Sequence, residues 1–327
     1  MLLKDFDFSN LYLESQIDRS RFRGTDAKAR LLPPPADLHA DMYALFKNVF
    51  DMYKRNPDVI DFAVNHDDYM YRVSVISDVN GLVFAVRRGA KEVPEFTRAC
   101  GMHRDIVSRL LSVKSGLVLF IGPFSSGKST AAAAFLRSFI MHTGGFGLTL
   151  EDPPELPLSG DHGDGRVLQI QVTRDRIEQE ISNIMRATFD AVLVSELRTP
   201  KMAAEAIQNA SAGRLVISTL HADSIPSGLQ RLASMASGAT GSSDAALRFS
   251  ANLLADGFQA AVEMAHLGER QWGAVRYLLS ENCWGQGGIK GVDGKIRNGE
   301  FAALRNDMMT QMNMLGKELF AKTGGSR

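Results

Sequence analysis

An α/β fold is predicted: one domain built on a mainly parallel sheet, preceded by a smaller α+β domain. Three observations predict it. Residues 116–121, Gly-Leu-Val-Leu-Phe-Ile, are an unbroken run of strand formers, as in a parallel strand buried on both faces. From Phe146 to Ala236, apolar runs alternate with helix-period stretches, the mark of βα units. Ahead of them, one helical stretch is followed by three strand-like runs, the makings of a helix on an antiparallel sheet. With 327 residues the chain can bury two cores.

In chain order, residues 1–35 are mixed in character and end at Pro33, Pro34 and Pro35, which interrupt regular structure; an N-terminal arm is expected. Residues 36–98 are the small α+β domain. Leu38, Met42, Leu45, Phe46, Val49 and Met52 recur at helical spacing between Ala36 and Arg55. Strands are expected at Val59–Val64, Tyr69–Ile76 and Leu82–Val86, with a turn at Ser77–Gly81.

Residues 99–327 are the second domain, opening with a helix over Met102–Val113. The pattern beyond residue 121 predicts a helix from Ala131, strands Phe146–Leu150 and Val167–Val172, and a helix Arg174–Phe189. Strand Ala191–Val194, helix Pro200–Ala212, strand Arg214–Thr219 and helices Ser224–Ala236 and Ala245–Ala255 follow. Phe258–Ala265 and Trp272–Leu279 read as a hairpin turning near Gly268. Gly285–Gly294 reads as a flexible connection, and Glu300–Phe320 as a Met-rich terminal helix packed through its methionines.

Composition excludes several classes. Lys+Arg 37 balances Asp+Glu 37, so no global positive field draws in nucleic acid. Two cysteines far apart, Cys100 and Cys283, fit a reducing cytosol with both thiols packed, and imply no metal or disulfide framework. The first ten residues lack an apolar h-region, and no stretch reaches about eighteen uninterrupted apolar residues, so any membrane association is expected to come through partners.

Between strand 116–121 and the next helix lies the pattern G-x-x-x-x-G-K-[ST]. Gly122, Pro123, Ser125, Ser126, Gly127, Lys128, Ser129 and Thr130 form this phosphate-binding set. The glycines let the backbone aim N–H groups inward, Lys128 can reach the β- and γ-phosphates, and the Ser129 hydroxyl can ligate Mg²⁺. Polar residues also follow three other predicted strands: Glu151, Asp152 and Glu155 after Leu150, Glu196 after Val194, and His221 after Thr219. An open α/β sheet places its ligand crevice at such strand ends. Phosphate donors, a metal, a carboxylate to orient water and a γ-phosphate sensor are what phosphoryl transfer to water needs.

On these residues the chain resembles the secretion-superfamily hexameric ATPases, the motors of type IV pili, type II secretion and type IV secretion or conjugation. It looks closest to the PilT-like pilus-retraction branch and its relatives in Dot/Icm-type secretion and IncI-type conjugation. The family's Walker A motif corresponds to Gly122–Ser129, and its Asp box, usually TIEDPIE, to Thr149–Glu155. Its Walker B segment, usually ending GEMRD, corresponds to Val192–Thr199, and its His box, usually STLHT, to Ser218–Ala222. Order and spacing agree from about Tyr71 to Arg231. Ser195 stands where the family usually has Gly, and Thr199 where it has Asp. No C-terminal retraction signature is recognisable after Ser280, which favours a conjugation or secretion relative over pilus retraction.

The resemblance implies a RecA-like P-loop domain behind a small PAS-like domain, ATP and Mg²⁺ as ligands, and a homo-hexamer in the cytoplasm at the inner membrane. Platform or secretion-channel proteins would dock it there. It implies Glu155 as base or water-orienting carboxylate, Glu196 acting on Mg²⁺ through water, Glu151 and Asp152 sharing either duty, and His221 as γ-phosphate sensor. Arginines directed at phosphate would come from Arg72, Arg87, Arg88, Arg174 and Arg186, whose planar guanidinium pairs bidentately with phosphate oxygens. Two other readings stand beside it. A RecA-like nucleic-acid translocase would show DNA-stimulated turnover, and a non-catalytic ATP-binding assembly subunit would show none.

Overall fold

Short alternating stretches build the first sheet. A computed structural model describes residues 1–25, 30–173, 176–184, 186–241, 243–264, 275–285 and 288–322, which fall into two units. Unit 1 contains Met1–Val93 with Glu151–Leu158 and Gln169–Ile177. Its strands are β1 (Asn10–Leu13), β2 (Arg21–Arg23), β3 (Leu31–Leu32), β4 (Asp61–His66), β5 (Tyr69–Asp78) and β6 (Gly81–Arg88), in the order β3-β2-β1-β6-β5-β4 with antiparallel neighbours throughout. Helix α1 (His39–Arg55) buries Met42, Leu45 and Val49 at helical spacing. These join the core formed by Leu11, Leu13, Phe22, Phe62, Tyr71, Val73, Phe84 and Val86, every second residue of their strands. The β5–β6 hairpin closes on Val79 and Asn80. Asn80 donates its backbone N–H to Asp78 Oδ2 at 3.2 Å, and that bond holds the Asp78 carboxyl below its usual range.

Residues 1–35 are therefore not an arm. They add β1–β3 to the sheet, and β1 pairs with β6 in the register Leu11↔Val86. Strands of four, three and two residues are too short to carry a readable period, and the β1–β6 pairing is non-local. The prolines at 33–35 end edge strand β3 and lead into α1. Unit 1 also closes at Val93, a little before Arg98, and takes in the two later segments that the linear division into domains left out.

Unit 2 contains Pro94–Leu150, Ser159–Leu168 and Glu178–Arg327. Its opening helical stretch is two helices, α2 (Phe96–Cys100) and α3 (Arg104–Leu111), broken at Gly101. There follow β7 (Gly116–Gly122), α4 (Lys128–Thr143), β8 (Phe146–Glu151), β9 (Gly160–His162), β10 (Gly165–Gln171), α5 (Ile177–Ile184), β11 (Ala191–Glu196), α6 (Pro200–Ser211), β12 (Leu215–His221), α7 (Ile225–Ser237), α8 (Asp244–Gly257), β13 (Phe258–Glu263) and β14 (Tyr277–Leu279). The sheet runs β14-β13-β7-β12-β11-β8-β10-β9, and β13, β7, β12, β11 and β8 are parallel neighbours. All seven residues of β7 are buried, as its unbroken apolar run requires. Strand β9 pairs antiparallel with β10 and was not expected: Gly-Asp-His carries no apolar signal.

The hairpin of β13 with β14 is present, while its turn near Gly268 lies outside the described residues. Helix α9 (Glu281–Trp284) precedes the glycine-rich stretch, and that stretch is not a bare connection. It leads into α10 (Val292–Arg297), whose Val292 and Ile296 are buried one turn apart, and Trp284 beside it is also buried. Helix α11 (Leu304–Lys322) ends the described chain.

In α10, Asp293 Oδ1 is buried with no hydrogen-bond partner among the described residues, and burial raises the carboxyl pKa to about 6. The folded form thus holds a proton that the unfolded chain releases near the ordinary carboxylate value, so stability falls as pH rises through the window between about 4 and 6. Asp293→Asn is expected to remove that loss. Discounted for partial exposure, the gain over wild type is about 1 kcal/mol at pH 8 and near zero at pH 4, read by denaturant melts at both values.

Candidate active site

The turn between β7 and α4 is a cradle of backbone N–H groups. Ser125 and Gly127 adopt left-handed φ of 58° and 80°, which fold the loop back on itself before Lys128 begins the helix. Gly122 leaves no room for a side chain, because an added Cβ would collide with the Met264 carbonyl and lie 2.8 Å from Ser126 Oγ. The N-cap of α4 is Gly127, which has no side chain to cap the helix, so the helix N-terminus is open to an anion such as a phosphate oxygen. Lys128 is only 9% exposed, and its Nζ donates to the Pro123 carbonyl at 2.6 Å, which holds the ammonium over the loop. Ser129 is exposed one residue into the helix, and Thr130 is half-buried behind it.

Strand register brings two more polar groups to this loop. His221 pairs with Gly122 across the β12–β7 ladder, and Glu196 pairs with Thr219 one strand further over. The His221 ring lies 4.3 Å from the Phe124 ring, centroid to centroid and tilted by 36°, and its Nδ1 is buried without a partner among the described residues. Arg231 Nη1 donates to the His221 carbonyl at 2.5 Å, fixing the backbone there. Glu196 Oε2 accepts from Arg198 Nε at 3.0 Å and Nη2 at 2.9 Å, which leaves Oε1 for another ligand. The β11 register shifts between Val194 and Glu196, and Ser195 is not among the residues with positive φ, so serine fits where glycine is usual.

The predicted site residues on β5, on β6, at the end of β8 and in the loop after it lie in unit 1 and divide into two kinds. Glu155 is exposed, 3.9 Å from Arg72 Nη1, and Arg72 also grips Asp61 through Nη2 at 2.6 Å and Nε at 3.3 Å. Arg87 stands directly across the ladder from Arg72 on the same face. Like charges so placed repel unless an anion lies against them. A cavity of about 320 Å³ is lined by Met70, Arg72, Arg87, Pro154 and Glu155 among others.

Glu151, by contrast, is built into the loop. Its Oε1 accepts from Gln169 Nε2 at 2.8 Å, and the same amide holds the Leu156 carbonyl at 2.8 Å and the Leu158 N–H at 3.2 Å. Asp152 follows it across a cis bond to Pro153.

Arg88 also lines that cavity, but its guanidinium is engaged elsewhere. Its Nη1 donates to the carbonyls of Leu3, Lys4 and Phe6 at 3.1–3.2 Å, and the guanidinium covers the Phe8 and Tyr69 rings, so it fastens the N-terminal segment instead. Arg186 is exposed in the turn after α5, and Arg174 lies outside the described residues.

Residues 14–268 match the family model described as type II/IV secretion system protein. The chain belongs to this family. Among its relatives, the type IV pilus ATPase PilU of Pseudomonas aeruginosa is 28% identical over 183 residues, covering 53% of this chain and 47% of PilU. The chain thus spans about half the length of PilU, and no more than that of the other first curated relatives. The crystal structure of the pilus retraction motor PilT with bound ADP has the same fold, with a TM-score of 0.70 at 21% identity over 98% of this chain and 91% of that one. The Legionella pneumophila ATPase DotB follows at 0.65 and 17%, over 97% and 89%.

As a type II/IV secretion system protein the chain carries the family match well upstream of Tyr71, through β2, β3 and α1. Among site neighbours, motif reading missed Phe124, Gln169 and Asp61. An aromatic inside a glycine- and serine-rich loop was the signal for Phe124, which is 72% exposed. Nothing local marks Gln169 or Asp61, whose partners lie 18 and 11 residues away.

Proposed function

We propose that this chain is a Mg²⁺-dependent ATPase, the motor of a type II/IV secretion, conjugation or pilus-type machine. The observation that carries the reading is the register that sets His221 beside Gly122, with Glu196 one strand further, at the rim of the phosphate loop. In this reading the loop N–H groups and Lys128 hold the β- and γ-phosphates. Ser129 and Glu196 Oε1 hold Mg²⁺, which neutralises phosphate charge as it develops. The unpartnered Nδ1 gives His221 the capacity to answer a γ-phosphate. Glu155 orients the attacking water, and Arg72 and Arg87 are anion-pairing arginines.

The subunit works as a homo-hexameric ring, docked at the inner membrane by platform or channel proteins. No helix of the described residues is long and apolar enough to cross a membrane.

Phosphate release by the full chain is expected to require Mg²⁺ and to be indifferent to added DNA. Tight ATP binding without release would favour an assembly subunit, and stimulation by DNA a nucleic-acid translocase.

A further inference from the structure

Unit 1 carries a second cluster of ligating groups that the ATPase reading does not use. Asp41 lies in the first turn of α1, His66 ends β4, and Asp67 begins the two-residue turn into β5. One ligand atom from each of the three lies within 4.8 Å of the others. The side chains of His66 and Asp41 are only 8% and 9% exposed, with His66 Nε2 2.9 Å from Asp41 Oδ1. The second Asp41 oxygen accepts the Leu3 N–H at 2.6 Å, and Asn48 Nδ2 lies 3.3 Å from His66 Nδ1. Both partners fix the orientation of the two ligating groups, as outer-shell contacts do in metal centres.

One observation beyond the cluster and one within it point to a ligand there. Tyr71 is fully buried, yet its hydroxyl has no hydrogen-bond partner among the described residues, and its ring meets that of His66 at 6.2 Å, edge on. Asp67 Oδ2 is likewise buried without a partner. Arg88 directs its Nη1 to the carbonyls of Leu3, Lys4 and Phe6, and its Nη2 lies 3.9 Å from Asp7 Oδ1. A buried hydroxyl and a buried carboxylate oxygen left unmatched are each costly, and a cation with one bound water would satisfy both.

We propose that Asp41, His66 and Asp67 bind one divalent transition ion of the zinc class. An imidazole with two carboxylates suits Zn²⁺, Co²⁺ or Mn²⁺, whereas Mg²⁺ and Ca²⁺ prefer all-oxygen sets. Asp41 Oδ1, His66 Nε2 and an Asp67 oxygen supply three ligands, and a water completes the shell, donating to the Tyr71 oxygen. His66 Nε2 must give up its proton to bind. That proton passes to Nδ1, and the Asn48 amide turns so that its oxygen accepts it, with no change in charge on the ring. The bound ion ties the first turn of α1 to the β4–β5 turn and, through Leu3, to the N-terminal segment.

The test uses the full chain, stripped of metal and free of nucleotide, titrated with CoCl₂ alone. One equivalent of Co²⁺ is expected to bind, with the visible absorption of a low-coordinate site; Zn²⁺ then bleaches it and raises the melting temperature. Asp67→Asn keeps a residue that tolerates the φ of 50° at this turn, and His66→Gln keeps the side chain polar. Each variant is expected to weaken Co²⁺ binding at least ~10-fold, with the metal-free melting temperature of Asp67→Asn unchanged. A wild-type chain with no visible band, or variants that bind Co²⁺ as wild type does, would overturn the proposal. Neither result bears on ATP turnover, which is measured separately.

Discussion

Lys128→Ala is expected to lower phosphate release by at least ~10³-fold while leaving unit 2 folded, because charge-stabilising donors at a transferring phosphoryl group account for much of the barrier reduction. The Lys128 ammonium donates to the Pro123 carbonyl in its own loop, and Lys128 opens α4 rather than lying in a strand, so its truncation leaves the sheet's packing in place. The surrounding helix is held by Ala131, Ala132, Phe135 and Leu136, all of them buried. Phosphate release at saturating Mg²⁺-ATP, alongside a far-UV circular dichroism melt, separates a silent folded protein from an unfolded one. Retained turnover in this variant would remove the phosphate-loop mechanism.

Phe84→Ala is expected to destabilise unit 1 by about 3–5 kcal/mol, a large share of the roughly 5–15 kcal/mol that holds a typical domain together. Phe84 is fully buried on β6, edge-on to Phe46 at 5.9 Å, Tyr53 at 6.0 Å and Phe50 at 6.5 Å, so it joins three residues of α1 to the sheet. Its removal leaves a cavity where α1 and the first sheet share aromatic contacts. Urea unfolding of the full chain should show an earlier transition whose midpoint moves while the unfolding of unit 2 does not.

How far such statements could be read from the chain itself differs between the two units. The parallel strands β7, β8, β11 and β12 were legible because strands buried on both faces are continuous apolar runs. Strands β1–β3 were not, since two to four residues cannot display a period and the Leu11↔Val86 register is decided by a partner more than seventy positions away. In the same way α10 hid inside a glycine-rich stretch, with only Val292 and Ile296 to bury.

At the site, sequence pattern located the loop, Glu196 and His221 because each sits at the end of a strand whose identity was already clear. It could not tell which oxygens a guanidinium faces. Arg88 follows Arg87 directly, yet alternation along β6 turns it to the opposite face, onto the N-terminal carbonyls. Nor could acidity alone separate Glu151, whose carboxylate is held by Gln169, from Glu155, which is exposed beside Arg72. Those distinctions depend on partners brought together by folding.

The central claim is that side chains ending separate strands act together on a triphosphate held at Lys128. Steady-state turnover and ATP affinity of His221→Gln and Glu196→Gln, measured beside wild type, address it most directly. The account predicts that ATP affinity stays within about 3-fold of wild type while kcat falls by roughly 10²-fold or more in each variant, since these groups act on charge that develops during transfer. A kcat equal to wild type in both variants would contradict it.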